Sequence, residues 1–142
     1  MQPAAVLCLV ALTVAGCGAS AQDSSEDFKG EKRVVAVAVE DLEEAGRQDQ
    51  ARRICGELLA KSLIARLRQA GTNCRPAVDE ALKDVDAFDL DVDRITIRGT
   101  RATVRVSSGS GDGARTDTLL LEREGRAWKI ASLGAGAAGG GT

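Results

Sequence analysis

The chain has no histidine and no tyrosine, and aromatic residues make up only 2% of its 142 residues. Without histidine, Ser–His and Cys–His nucleophile pairs and imidazole acid–base chemistry are excluded. A zinc shell would have to come from cysteine and carboxylate alone. The large core groups reduce to Phe28, Phe88 and Trp128, so any core must be mainly aliphatic, and the 44% apolar content is enough to build one. Neither sign of charge dominates: 19 Lys and Arg stand against 21 Asp and Glu. That balance offers no concentrated basic footprint for nucleic acid, and no overall attraction to anionic lipid headgroups. The length is that of one domain.

Residues 1–17 hold no Asp, Glu, Lys or Arg. Ala4 to Ala15 is apolar except for Thr13. At about a dozen residues this run is too short to span a bilayer as a helix, which takes about 20, and it has the length of a signal-peptide apolar segment. It ends in Val14-Ala15-Gly16-Cys17, small residues running directly into a cysteine. This resembles the lipobox of bacterial lipoproteins. The resemblance implies cleavage before Cys17, a diacylglyceryl group and further fatty acylation such as palmitate on that residue, and residence at the extracytoplasmic face of the cell membrane. Two acyl chains anchor stably where one does not, at about 0.8 kcal/mol per buried CH₂. One departure is that residues 2–5 carry no Lys or Arg, whereas the usual start is positive.

The cysteines are Cys8, Cys17, Cys55 and Cys74. Under the lipobox reading Cys8 leaves with the leader and Cys17 is lipidated. Two then remain in a compartment that permits disulfides. The expected bridge is Cys55–Cys74, closing a loop of about 20 residues and stabilising by roughly 3 kcal/mol in the chain-entropy model. Free buried thiols and a metal site are the rivals; the metal lacks the ligands it needs.

Four segments follow: a leader (1–16), a lipidated Cys17 with a small, polar tether (17–27), a folded domain (28–133) and a Gly/Ala tail (134–142) expected to be disordered. Within the domain, Val34, Val35, Ala38, Val39, Leu42 and Ala45 form a stripe at helical spacing over about Lys29 to Ala45, with Gly46 as a stop. A second helix is expected from Asp49 as N-cap through Ile54, Cys55, Leu58, Leu59, Leu63 and Leu67 to Gly71. A third starts with Pro76 at its first position and turns Ala77, Val78, Ala81, Leu82 and Val85 inward. From Asp91 the period becomes two. Ile95 and Ile97, then Ala102, Val104 and Val106, then Leu119 and Leu121, then Trp128 and Ile130 mark four strands. They are separated by Gly99-Thr100, a mobile loop over Ser107 to Gly113, and the tight turn Glu124-Gly125-Arg126. Helices followed by a meander predict an α+β fold, with N-terminal helices packed on one side of a curved antiparallel sheet of about four strands.

That order resembles the nuclear transport factor 2-like (cystatin-like) superfamily, and in particular small actinobacterial lipoproteins within it. The segments that carry the likeness are Asp49 to Leu59 followed by Asn73-Cys74, the turn Gly99 to Val104, and the closing Gly125 to Leu133. The resemblance covers roughly residues 28–133. It implies a cone-shaped domain able to enclose an apolar pocket, and it implies no particular activity.

No residue pattern marks a catalytic centre, a cofactor or a metal site. Asp84, Asp86, Asp89, Asp91 and Asp93 form an acidic run. Asp89-Leu90-Asp91-Val92-Asp93 has the start of a calcium-loop spacing, but Arg94 stands where glycine is required and Thr100 where the closing glutamate is required. The run reads as solvated, with a looser cation site as the rival. Lys61-Ser62 is no nucleophile pair, because adjacent helical residues point about 100° apart. Arg52, Arg53, Lys61, Arg66 and Arg68 read as a solvated helix face with Glu57 nearby. The leading expectation is a membrane-tethered, non-enzymatic module that binds a small apolar ligand or an envelope protein, and no nucleic acid. The alternatives are a ketosteroid isomerase- or cyclase-like enzyme using a pocket carboxylate, and a structural or homodimerising module pairing through the open sheet face. A cavity above about 300 Å³ between sheet and helices favours a ligand; a carboxylate of raised pKa inside it favours the enzyme.

Overall fold

The computed structural model describes residues 24–83, 89–109 and 111–134. The leader, Cys8, Cys17, the tail from residue 135, and Asp84, Val85, Asp86 and Phe88 lie outside the described residues.

The first apolar stripe folds as α1, Glu31–Arg47, burying Val35, Ala36, Val39, Leu42, Ala45 and Gly46. Val34, expected inside, is 50% exposed; Ala36 takes its place because positions 35, 39 and 42 centre the stripe. Gly46 does not stop the helix. Asp49 does, as the one non-glycine described residue with positive φ, at 54°. The Gln50 N–H donates to the Ala45 carbonyl at 2.9 Å, and the Asp49 N–H to that of Gly46 at 3.2 Å. These are the two bonds of a Schellman end, with Asp49 in the left-handed position. Asp49 is therefore not the N-cap of the next helix. Gln50 occupies that place and makes no side-chain cap bond.

The second helix, expected to be continuous, is broken. Ala51–Arg53 (α2) passes into a π-helical turn, Ile54–Leu58. Leu59 and Ala60 are then extended, and the helix restarts as α3, Lys61–Gln69. The break has a cause in the sheet. Leu59 bridges Ile130 in parallel, the Ala60 N–H donates to the Ile130 carbonyl at 2.8 Å, and both residues are buried. The helix gives up its own ladder there to cover the edge of the last strand. The third helix, α4 (Cys74–Lys83), begins two residues before Pro76. Proline is tolerated at that depth because the first four N–H groups lack intrahelical partners anyway. Ala81, expected inward, is exposed.

The sheet is a four-stranded antiparallel meander in the order β1-β2-β3-β4, formed by Asp91–Arg98, Arg101–Ser108, Arg115–Glu124 and Ala127–Leu133. Gly99 and Gly125 open the first and last hairpin turns at φ of 60° and 64°. Thr100 and Arg126 follow at negative φ, the pattern of II′ turns. The inner face carries the expected Ile95, Ala102, Val104, Val106, Leu119, Leu121, Trp128 and Ile130, all buried. Two bulges adjust it. An irregularity between Val92 and Arg94 turns Val92 inward three residues before Ile95, and one opposite Leu120/Leu121 lets Ile130 and its neighbour Ala131 both be buried. The helices lie on this face, with α1 across it, so the fold is α+β as expected. Part of the expected tether belongs to it. Ser24–Asp27 form a short 3₁₀ turn, in which the Ser25 N–H donates to Glu40 Oε1 at 2.6 Å and Ser24 Oγ accepts from the Val92 N–H at 3.3 Å. No helix among the described residues is long and apolar enough to cross a membrane.

Two substitutions separate a left-handed Asp49 from a capping one. Asp49→Gly is expected to raise stability by about 0.5 kcal/mol and Asp49→Thr to lower it by about 1 kcal/mol. An N-cap role reverses that order, since threonine caps and glycine slightly loses; urea midpoints decide.

Candidate functional site

The two cysteines expected to pair are joined. Cys55, in the π-helical turn, is bonded to Cys74, the first residue of α4, across a separation of 19 residues and a Cα–Cα distance of 6.0 Å. The bridge ties α4, which packs little by itself, to the π-helical turn that is held in the core by Ile54. Neither α3 nor α4 contains a fully buried residue. Leu63, Ile64, Val78 and Leu82 are only partly covered where they meet the core.

Two adjoining clefts open around this disulfide and share Cys55, Ile64 and Arg68. One, of 540 Å³, lies between α3 and α4, with Pro76 as a further apolar wall and Arg75 and Asp79 at its polar rim. The other, of 430 Å³, lies between α3 and the sheet hairpin and is edged by Lys61, Lys129 and Glu124. Both combine apolar and sulfur surface with a small excess of positive charge: Arg68 and Arg75 against Asp79 in the first, Arg68, Lys61 and Lys129 against Glu124 in the second. By contrast, the inner sheet face is packed rather than hollow where α1 crosses it. Val35, Val39 and Ile130 are 0% exposed there and Leu121 is 1%.

The start of α3 is organised by the sheet. Its N-cap, Ala60, has no side chain to offer. Glu124 Oε1 accepts the Lys61 N–H at 2.7 Å, and Glu122 Oε2 accepts from Ser62 Oγ at 2.8 Å. Two carboxylates thus sit at a helix N-terminus, where the helix dipole favours them. Sequence reasoning missed both contacts, the Glu124 cap and the Glu122–Ser62 bond, because they come from a strand some 60 residues away. Ser62 is occupied by Glu122 and does not face Lys61. The basic face read on one helix is divided by the break: Arg53 pairs with Asp41 of α1 at 2.9 Å, while Arg66 donates to the Ala131 carbonyl at the edge of β4. Lys129 donates to the Glu57 carbonyl.

The described part of the acidic run is not a site. Asp93 accepts from Ser107 Oγ at 3.1 Å and lies 3.9 Å from Arg105. Among the described residues no cluster of His, Cys, Asp or Glu has metal-binding geometry. Asp89 and Asp91 act instead on Glu43, whose side chain is 15% exposed. Burial raises the Glu43 pKa above its ordinary value. Arg47, 2.8 Å away, and a backbone hydrogen bond from Leu90 pull it down, and the two aspartates push it up. Glu43 lines neither cleft.

Helices seated on one face of an open four-stranded meander, with a disulfide-lined cleft at their outer end, define an α+β module whose site is shallow and peripheral. Comparison with protein-family models, curated proteins and solved structures finds no match.

Two outcomes are expected here. The Cys55→Ser/Cys74→Ser chain loses about 3 kcal/mol, and amide exchange rises first in α3 and α4 while α1 and the sheet stay protected; uniform deprotection contradicts a peripheral role for the staple. For Glu43, a folded pKa above the unfolded one gives stability that is complete below 4.5 and is lost as pH rises through the folded value. Glu43→Gln should flatten that decline in denaturation midpoints measured from acid to neutral pH.

Proposed function

We propose that this chain is an exported lipoprotein, cut before Cys17 and held by acyl chains on that residue at the extracytoplasmic face of the cell membrane. Its domain, of nuclear transport factor 2-like shape, is a non-enzymatic binding module. It takes a small, largely apolar ligand with one anionic group in the clefts beside Cys55–Cys74.

The observation that carries the reading is the disulfide itself. It ties α4, which buries no residue fully, to the π-helical turn held in the core by Ile54, an arrangement that suits an oxidising compartment. The address rests on the Val14-Ala15-Gly16-Cys17 sequence and the apolar run before it. Ligand class follows from the cleft walls: Ile64, Pro76 and the bridge provide apolar contact, and Arg68 and Arg75 provide charge-assisted donors. Catalysis by a buried carboxylate finds less support, since among the described residues the one carboxylate of raised pKa lies outside these clefts and is paired with Arg47.

Intact-mass spectrometry of the membrane fraction tests the address and the staple together. The expected product lacks residues 1–16, carries diacylglyceryl and acyl mass on Cys17, and is two hydrogens lighter than the dithiol. A full-length, fully reduced chain in the soluble fraction defeats the reading. For the cleft, a medium-chain fatty carboxylate should bind the wild type about tenfold more tightly than Arg68→Glu, as followed by amide chemical shifts around Cys74. Equal binding removes the cleft from the proposal.

A further inference from the structure

The pairing of β1 with β2 sets arginine opposite arginine twice: Arg94 faces Arg105, and Arg98 faces Arg101, on either side of a Thr96–Thr103 pair. Ile95, Val104 and Ala102 point into the core, so strand alternation places all four arginines on the outer, open face of the sheet. All four are exposed. Directly opposed side chains lie about 5 Å apart, and like charges there are destabilising. The two pairs stand about 13 Å apart along the strands. Little neutralises them. Asp93 lies 3.9 Å from Arg105 and Glu122 is opposite Arg101 in β3, but Arg94, Arg98 and Arg101 make no ion pair or hydrogen bond among the described residues. A chain of net charge −2 thus concentrates four guanidinium groups on one hairpin.

We infer that this arginine face docks on an anionic phospholipid surface, each opposed pair clasping phosphodiester headgroups. Two features of the molecule select that occupant. A second copy packed symmetrically on the same face would set arginine against arginine, so the partner must be negative. The described chain also begins at the edge of the strand that carries Arg94 and Arg98: Ser24 accepts the Val92 N–H two residues before Arg94. Cys17 is seven residues earlier, a reach of at most about 25 Å. The inference rests on the lipid anchor proposed above in this respect, because a tether that short holds the β1–β2 face within reach of the headgroups. Guanidinium groups suit bidentate phosphate recognition, and attraction of this kind is screened by salt.

The test uses the chain recovered from membranes and reconstituted into vesicles of phosphatidylcholine alone, or of phosphatidylcholine with phosphatidylglycerol. Arginine modification by phenylglyoxal is mapped by mass spectrometry. The expected result is several-fold slower modification of Arg94, Arg98, Arg101 and Arg105 on the anionic vesicles only. Arg47 and Arg75, on the helical side, should be unaffected, and the protection should disappear in 1 M salt and in the Arg98→Glu/Arg101→Glu chain with its disulfide intact. Equal modification on both vesicles overturns docking while leaving the lipid on Cys17 in place. Protection by inorganic phosphate on phosphatidylcholine vesicles also overturns it, in favour of free-anion binding. If the chain carries no lipid, the anchor reading fails, and the same comparison with vesicles added from outside still decides whether the arginine face binds them.

Discussion

The structure depends on the seam between α1 and the inner face of the meander. Val35, Val39 and Leu42 join Val104, Leu121 and Ile130 in one core cluster there, and each is at most 2% exposed. With almost no aromatic volume available, the seam is closed by branched aliphatics packed at short range, and among the described residues Trp128 is its one buried aromatic. Arg123 lies 5.8 Å from the Trp128 ring centroid and reaches Glu31 at the start of α1 at 2.6 Å. Ser24–Asp27 fasten the other end to β1 and Glu40. Polar contacts thus hold the two ends of a contact whose strength comes from apolar burial.

Everything beyond that seam is a compromise between helix continuity and the exposed edge of β4. An unpaired strand edge invites association with other strands. The chain covers it by unwinding at Leu59-Ala60, which forfeits helical hydrogen bonds but gains the bond to Ile130 and buries both residues. Unwinding creates a fresh helix N-terminus at Lys61, whose open N–H groups need acceptors. Glu124 supplies one from the neighbouring hairpin, and Glu122 beside it holds the Ser62 hydroxyl. The outer helices that result bury no residue fully, so a covalent link from the π-helical turn to α4 holds what packing alone holds weakly. The clefts lie there because the covering layer is thin.

Much of this was legible in the sequence. Alternation from Ile95 to Ile130 gave the four strands, their turns and their inward faces, because a half-buried antiparallel strand writes its pattern into adjacent residues. Helical spacing located α1, and counting cysteines found the bridge. What was not legible depends on partners far along the chain. The stripe Ile54, Leu58, Leu63, Leu67 runs without interruption across the break, since nothing within it records that Ile130 will bind Ala60. Asp49 reads equally well as a helix start or a helix end; only its φ decides between them. The bulges at Asp93 and Ala131 show the same limit, because each is a property of a strand pair.

Charge behaves in the same way. Summed over the chain, acids and bases nearly cancel, and composition argues for a surface with no preference for anions. Register overrules that average. Arg94 and Arg98 are four apart, as are Arg101 and Arg105, and a two-residue turn folds one pair onto the other. The carboxylates are distributed differently: Glu43 on the Leu90 backbone, Glu122 and Glu124 on α3, Asp41 on Arg53. Each of these is engaged in joining one element to another, whereas among the described residues three of the four hairpin arginines join nothing. Opposed like charges on an exposed hairpin weaken the strands that carry them. The fold tolerates them because the stability of this hairpin comes from its other face, where Ile95, Val104 and Ala102 are sealed under α1. A sheet buried on one side only can therefore keep on its open side a charge pattern that contributes nothing to folding.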